Sequence, residues 1–318
     1  MNARIEDIAV YLPDTVLDNE ALATVFPEWS PEKVEAKTGI HRRHIANNSE
    51  TALDLGRVAA ERLLSRHDRT SIDALLFCTQ SPDYFLPTGA CILQNELGLR
   101  TDIAAFDYNL GCSGFVYGLA VAKGLIASNA AQRVLLVTAE TYSKHLHPLD
   151  KGNRTIFGDG AAATLISSST TTGIGDFVFG TDGSGAHNLI VKNGAFRNRS
   201  EGQTNEVEYM PESKTSDDHL FMNGPEIFNF TIGIINQLVD RTLAVNGLTL
   251  GDIDRFVFHQ ANKYMLEYLR KKLNIPAERF HIDLKETGNT VSATIPIALE
   301  SCLSTGSILP GNRILVAG

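Results

Sequence analysis

Cysteine is scarce in this 318-residue chain. The four present, Cys78, Cys91, Cys112 and Cys302, include no CxxC pair and no pairing with histidine at metal-ligand spacing. Neither a zinc site nor a disulfide framework is supported, so no metal is expected and the thiols read as those of a reducing compartment. Positive charge is also in deficit, with 28 Lys and Arg against 37 Asp and Glu and a net charge of −9. Nucleic acid would want a basic excess for its phosphates and is not expected as a main partner. An acidic partner could dock only on a local basic patch. Long apolar runs are missing too. The opening stretch MNARIEDIAVYLPDTVL places acidic residues where a secretion signal needs a continuous apolar segment, and no run approaches the length that spans a bilayer. A cytoplasmic protein with no membrane association is the expectation. No short-period repeat is present.

What is there suits an ordinary globular enzyme. With 43% hydrophobic and 20% charged residues the chain can bury a large core, and its length predicts about two domains or lobes. Apolar, β-branched or aromatic runs predict buried strands at ALLFCTQ (74–80), RVLLVTAE (133–140), AAATLISS (161–168), RFVFHQ (255–260) and the terminal RILVAG. Between them, helical patterns cover TALDLGRVAAERLLSRH, ACILQNELG, SGFVYGLAVAKGLIASN, GPEIFNFTIGIINQLVDRTLAVNG and NKYMLEYLRKKL. That alternation predicts α/β layers. The helix from Ser113 is apolar on nearly every face, which predicts burial between layers. Residues 169–188, rich in Gly, Ser and Thr, read as the join between two lobes, and the polar segment 198–218 reads as a surface excursion or mobile loop.

Three residues stand at element junctions, where sites assemble in layered α/β folds. Cys112, between two glycines in FDYNLGCSGFVYG, precedes a helix whose unpaired N–H groups and dipole favour a thiolate, the reactive form. His259 ends a strand in RFVFHQAN. Asn289 stands in a Gly-Asn turn of KETGNTVSATIPIALE, again before an apolar helix. Together they offer a nucleophile and two hydrogen-bonding groups from three separate segments.

Those stretches resemble the β-ketoacyl-acyl carrier protein synthase III family of the thiolase superfamily, over essentially the whole chain. The likeness is carried by KTGIHRRHIA (37–46), TQSPDYFLPTGACILQNELGL (79–99), GCSGF (111–115), RTIFGDGAAATLI (154–166), NGPEIFNF (223–230), FHQAN (258–262) and GNTVSATIPIAL (288–299), seven motifs in family order. The resemblance implies a thiolase-like layered α/β fold of two similar lobes, each with a mixed sheet packed between helices, assembled as a homodimer. Residues 1–170 would be the lobe carrying the nucleophilic cysteine and 171–318 the lobe carrying His and Asn. It further implies a decarboxylative Claisen condensation. Cys112 would take an acyl primer from coenzyme A or a carrier protein, and malonyl-acyl carrier protein would lose carbon dioxide against His259 and Asn289. No cofactor would be needed, since coenzyme A and phosphopantetheine thioesters enter as substrates and hydrogen-bond donors handle the charge.

For substrate delivery the resemblance points to Lys37, Lys151 and Arg154 for the nucleotide, to Asn262, and to Leu86 as the residue that crosses a dimer interface to close the partner's acyl pocket. Lys33 falls where some members carry an adenine-stacking tryptophan. Where family members often carry arginines, Lys37 and Lys151 keep the charge but lose the bidentate fork. Lys263, Arg270, Lys271 and Lys272 make a basic helix face where the acidic carrier protein would dock. Family members continue past a segment like ILVAG into a glycine-rich loop that adds a wall to the site and a second oxyanion donor; this sequence stops at Gly318. An acyltransferase of the same fold, moving the acyl group from Cys112 to an alcohol or amine without decarboxylation, is the alternative reading. Primer identity and chain length stay open, as does the choice between fatty acid synthesis and a secondary or surface-polysaccharide pathway.

Overall fold

Fully apolar runs have no solvent-facing side and fold into the interior of a sheet. In the computed structural model, which describes residues 1–199, 206–210 and 213–318, Ala74–Cys78 and the bulk of Arg133–Glu140 and Gly160–Ser169 are buried strands. They form the centre of a five-stranded sheet in the order Asn2–Tyr11, Gly160–Ser169, Arg133–Glu140, Ala74–Cys78, Ala104–Tyr108. The sheet is mixed. Ala74–Cys78 runs parallel to both its neighbours, whereas Gly160–Ser169 is antiparallel to both of its own. The first strand escapes a periodicity reading because Arg4, Glu6 and Asp7 interrupt its apolar residues, as an edge position permits.

Helices cover both faces of this sheet. Ala52–Leu64 starts at a capping box, with Thr51 and Asp54 each accepting from the other's backbone N–H, and buries Leu55, Ala59 and Leu63 against Phe77, Val137 and Leu165. On the other face Gly114–Ala127 and Thr294–Ser304 pack Phe115, Leu119, Ile126, Ile295 and Leu299 on Leu76, Leu136 and Ile166. Each such side chain contributes about 1.5–3 kcal/mol when taken out of water. The Gly114–Ala127 helix is not buried all round: Val121 is exposed.

The C-terminal sheet has three strands, Phe280–His281, Arg255–Phe258 and Ile314–Ala317, all parallel. It is smaller than the mixed sheet expected for this lobe. Helical crossovers, Lys263–Lys272 and Thr294–Ser304, join its strands, and such connections return the chain in the same direction. A third apolar cluster, with Ile40, Ile235, Val239, Phe256, Phe258, Leu266 and Leu269, packs around this sheet. Of the polar segment 198–218, residues 200–205 and 211–212 lie outside the described residues. The described remainder is more than a surface excursion: Val207–Met210 pairs with Ser213–Thr215, and Ser213, Thr215 and Ser216 are buried. Among the described residues no helix is long and apolar enough to cross a membrane.

Candidate active site

The Cys112 loop is built by close approach. Gly111 and Gly114 flank it because a Cβ at Gly111 would come within 2.7 Å of Gln80 Oε1, and one at Gly114 would collide with Cys78 Sγ. Ser113 is the N-cap of Gly114–Ala127, so the helix N-terminus opens beside the sulfur. The thiol is nevertheless not a ready thiolate. Burial, opposed by its own backbone N–H and aided by the nearby Glu140 carboxylate, pushes it up to about 12. A rise of that size from 9 corresponds to about 4 kcal/mol, whereas a helix terminus supplies about 0.3–2 kcal/mol. Desolvation therefore outweighs the dipole, and the sequence expectation of an activated thiolate is corrected to a resting thiol that needs a base.

His259 ends the strand Arg255–Phe258, and its backbone N–H donates to Ala317 O at 2.7 Å. Its ring Nδ1 lies 2.8 Å from Thr294 Oγ1, which itself stands 3.0 Å from Val291 O. Burial holds the imidazole down at about 4, with the Val291 carbonyl opposing, so the ring is neutral at physiological pH. The single hydroxyl proton of Thr294 has two acceptors. When it goes to Val291 O, Nδ1–H donates to Thr294 and Nε2 is a base; when it goes to Nδ1, Nε2 carries the proton and donates.

Asn289 is buried, with its backbone N–H on Ile156 O at 2.9 Å and its carbonyl accepting from Gly158 N at 3.0 Å. Its side-chain Oδ1 accepts from Val291 N at 2.9 Å, which commits the amide oxygen and leaves Nδ2 as the donor end. Val291 sits at φ 55°, a left-handed conformation that costs a β-branched residue about 1–3 kcal/mol. The turn that follows Asn289 is where the three segments meet. Val291 belongs to the apolar cluster, with Tyr142 and Phe157, against which Cys112 packs. Thr294 touches His259, and a Cβ at Gly111 would lie 3.4 Å from Val291 Cγ1. The chain end closes the ring from the other side, since Ala317 accepts from His259 N while a Cβ at Gly318 would come within 2.5 Å of the Cys112 carbonyl oxygen.

The outer residues divide. Lys37 is exposed, its Nζ 4.7 Å from the centroid of the Trp29 ring, and Lys33 and Lys151 stand 5.8 and 5.7 Å from the same ring. Trp29 was missed in the sequence, although it is the sole tryptophan and precedes Lys33 and Lys37 at steps of four. Lys151 is buried and ion-paired to Glu28 at 2.9 Å, and Arg154 donates to Pro148 O at 2.6 Å, so both already have protein partners. Asn262 caps the helix Lys263–Lys272, its Oδ1 accepting from Met265 N at 2.9 Å. On that helix Lys263, Lys271 and Lys272 are exposed, but Arg270 is held by Glu267 at 2.8 Å and by Ile275 O at 3.0 Å. The i,i+3 spacing of Glu267 and Arg270 on this helix is the sequence signal for that pairing. Leu86 is 79% exposed, beside exposed Tyr84 and Phe85.

Comparison with known proteins gives a consistent answer. Residues 106–183 match the family model described as 3-oxoacyl-[acyl-carrier-protein (ACP)] synthase III, and residues 243–318 match its C-terminal counterpart. A β-ketoacyl-[acyl-carrier-protein] synthase III of Methylococcus capsulatus is 36% identical, over 99% of this chain and 94% of that protein. One from Clostridium perfringens is 34% identical over 100% and 95%. A crystal structure of a 3-oxoacyl-(acyl-carrier-protein) synthase III superposes with a TM-score of 0.97 at 48% identity, covering 99% of this chain and 95% of that one.

Proposed function

Because this chain belongs to the 3-oxoacyl-[acyl-carrier-protein] synthase III family, we propose that Cys112, His259 and Asn289 perform its condensation of an acyl primer with malonyl-acyl carrier protein. In the first half, His259 Nε2 takes the Cys112 proton as Sγ attacks the primer thioester. The bond from carbonyl carbon to the donor sulfur breaks, the proton passes to the leaving thiol, and an acyl-cysteine remains. In the second half the malonyl carbon–carboxylate bond breaks, carbon dioxide leaves, and the electron pair becomes an enolate on the thioester oxygen. Nδ2 of Asn289 and Nε2–H of His259 donate to that oxygen, each worth about 2.7–4 kcal/mol. The enolate carbon then attacks the acyl-cysteine carbonyl carbon, the S–C bond breaks, and the Cys112 thiolate takes up one proton from solvent, the proton the overall condensation consumes.

The observation that carries this reading is the Asn289 amide held donor-end free by Val291, in the same turn that touches a neutral His259. A neutral imidazole can serve as base and as donor in turn, which a charged one cannot.

Delivery follows the same reading. Lys33 and Lys37 around the Trp29 ring suit a phosphorylated adenosine such as that of coenzyme A, through stacking and charge together. Exposed Lys263, Lys271 and Lys272 suit an acidic carrier protein. Exposed Tyr84, Phe85 and Leu86, with the open edge of Ala104–Tyr108 and exposed Phe106 and Val121, suit a homodimer. Intact-protein mass spectrometry after incubation with mixed acyl thioesters tests the assignment. An adduct on Cys112 and carbon dioxide release from malonyl-carrier are expected, and absence of both removes the reading.

A further inference from the structure

The strand Arg133–Glu140 ends on a carboxyl group that the reaction above does not use. Glu140 is wholly buried. Its Oε1 accepts the Ser292 hydroxyl at 2.8 Å, its Oε2 accepts the Ser81 hydroxyl at 3.1 Å, and the Gln80 backbone N–H reaches both oxygens at 3.2 and 3.0 Å. The Thr79 hydroxyl stands 3.5 Å from Oε2. These donors come from two segments far apart in sequence. Ser292 belongs to the short turn Val291–Ala293 that follows Asn289 and precedes Thr294. Thr79, Gln80 and Ser81 follow the strand Ala74–Cys78, and the Gln80 side chain lies against Gly111, donates to Asn109 Oδ1 at 3.1 Å and accepts the Tyr142 hydroxyl at 3.4 Å. One side touches the loop of the nucleophile, the other the turn of the decarboxylation pair.

We propose that Glu140 is a positioning residue that locks the Cys112 loop and the Asn289 turn into one frame, so that the acyl carbon on sulfur and the enolate carbon meet at bonding distance. The proposal rests on the condensing-enzyme reading. A buried polar group is costly unless its partners are placed, so a carboxyl group in this position persists only where the frame around it is complete. Burial, opposed by Ser292, Gln80, Ser81 and Thr79, pushes Glu140 up to about 8, so near neutrality it is protonated, and its own O–H donates to one of the serine hydroxyl oxygens that donate to the ionised form. The titratable groups that feel its charge are Cys112, Cys78 and Tyr142.

The test uses the full chain as E140A, S292A, E140A/S292A and E140Q. A misplacement of the reacting groups by about 1 Å costs about 100-fold, so E140A is expected to release carbon dioxide from malonyl-carrier about 100-fold more slowly. S292A is expected to fall in the same direction, and the double variant to be no slower than E140A, since both remove one link. Alkylation of Cys112 by iodoacetamide, read by intact mass, needs no acyl substrate. Above pH 8 it is expected to run faster in E140Q than in wild type, because no carboxylate charge then raises the thiol. A folded E140A within about twofold of wild type, additive losses in the double variant, or superposable alkylation profiles would each overturn the proposal. If E140A does not fold, S292A and E140Q decide. If wild type itself releases no carbon dioxide, the condensing reading fails while the alkylation profile still judges Glu140.

Discussion

The Asn289 side-chain oxygen accepts from the backbone N–H of Val291 at 2.9 Å, and Val291 holds a left-handed backbone at φ 55°. That bond orients the amide: with the oxygen spent inside the turn, only the nitrogen faces outward. It also shows what keeps a strained residue in place, since the bond and the burial of Val291 together offset the conformational cost.

Asn289→Asp tests the orientation directly. Aspartate keeps the acceptor for Val291 N but cannot donate to an enolate. Carbon dioxide release from malonyl-carrier is expected to fall about 10²–10³-fold, while acyl loading of Cys112 persists. Equal losses in both halves would mean that Asn289 shapes the site and does not act on the malonyl oxygen.

His259 and Glu140 give opposite pH dependence to stability. The histidine sits at about 4 in the folded protein against 6.5 unfolded, so the unfolded chain binds the proton first and stability falls as pH drops from 6.5 toward 4, by about 3 kcal/mol in all. Glu140 sits at about 8 against 4.5, so its contribution is fully present below 4.5 and is lost as pH rises through 8, by about 5 kcal/mol. Urea midpoints should show that the stability of E140Q relative to wild type improves between pH 5 and pH 9. The corresponding acid-side dependence should vanish in H259A.

Trp29→Ala and Lys37→Ala should act on one substrate only. An exposed cation–aromatic contact is worth about 0.5–1 kcal/mol, so KM for a coenzyme A primer is expected to rise about two- to fivefold with kcat unchanged. A carrier-bound primer should be insensitive. Equal effects on both donors would place the ring outside the nucleotide path.

Phe85→Glu should weaken self-association, read by sedimentation, because it puts charge into the exposed apolar tip beside Leu86. Leu86→Phe should shorten the primers that load Cys112 in a series of rising acyl length. Unchanged mass and an unchanged series together would remove this loop from both roles.

The proposed trio was legible as a set of candidates because each member is a chemically special residue at an element junction. Cys112 before a helix, His259 after a strand and Asn289 after a glycine are local patterns, and the central strands were legible from unbroken apolar runs. Trp29 lies four and eight residues before Lys33 and Lys37, but that Lys151 also stands beside its ring is decided by folding. Lys151 and Arg270 carry their charge in the sequence, but the ion pair of Lys151 with Glu28 comes into place only on folding, whereas that of Arg270 with Glu267 follows from their i,i+3 spacing on one helix.

By itself the order of residues determined the layered class and marked the nucleophile and the two partners proposed here, since these depend on periodicity and on side-chain chemistry that survive in one dimension. The state of those groups was decided in three dimensions. A thiol up near 12, an imidazole down near 4, and a glutamate hydrogen-bonded to a serine 152 residues away all arise from water excluded by packing, and exclusion is a property of what surrounds a residue in space.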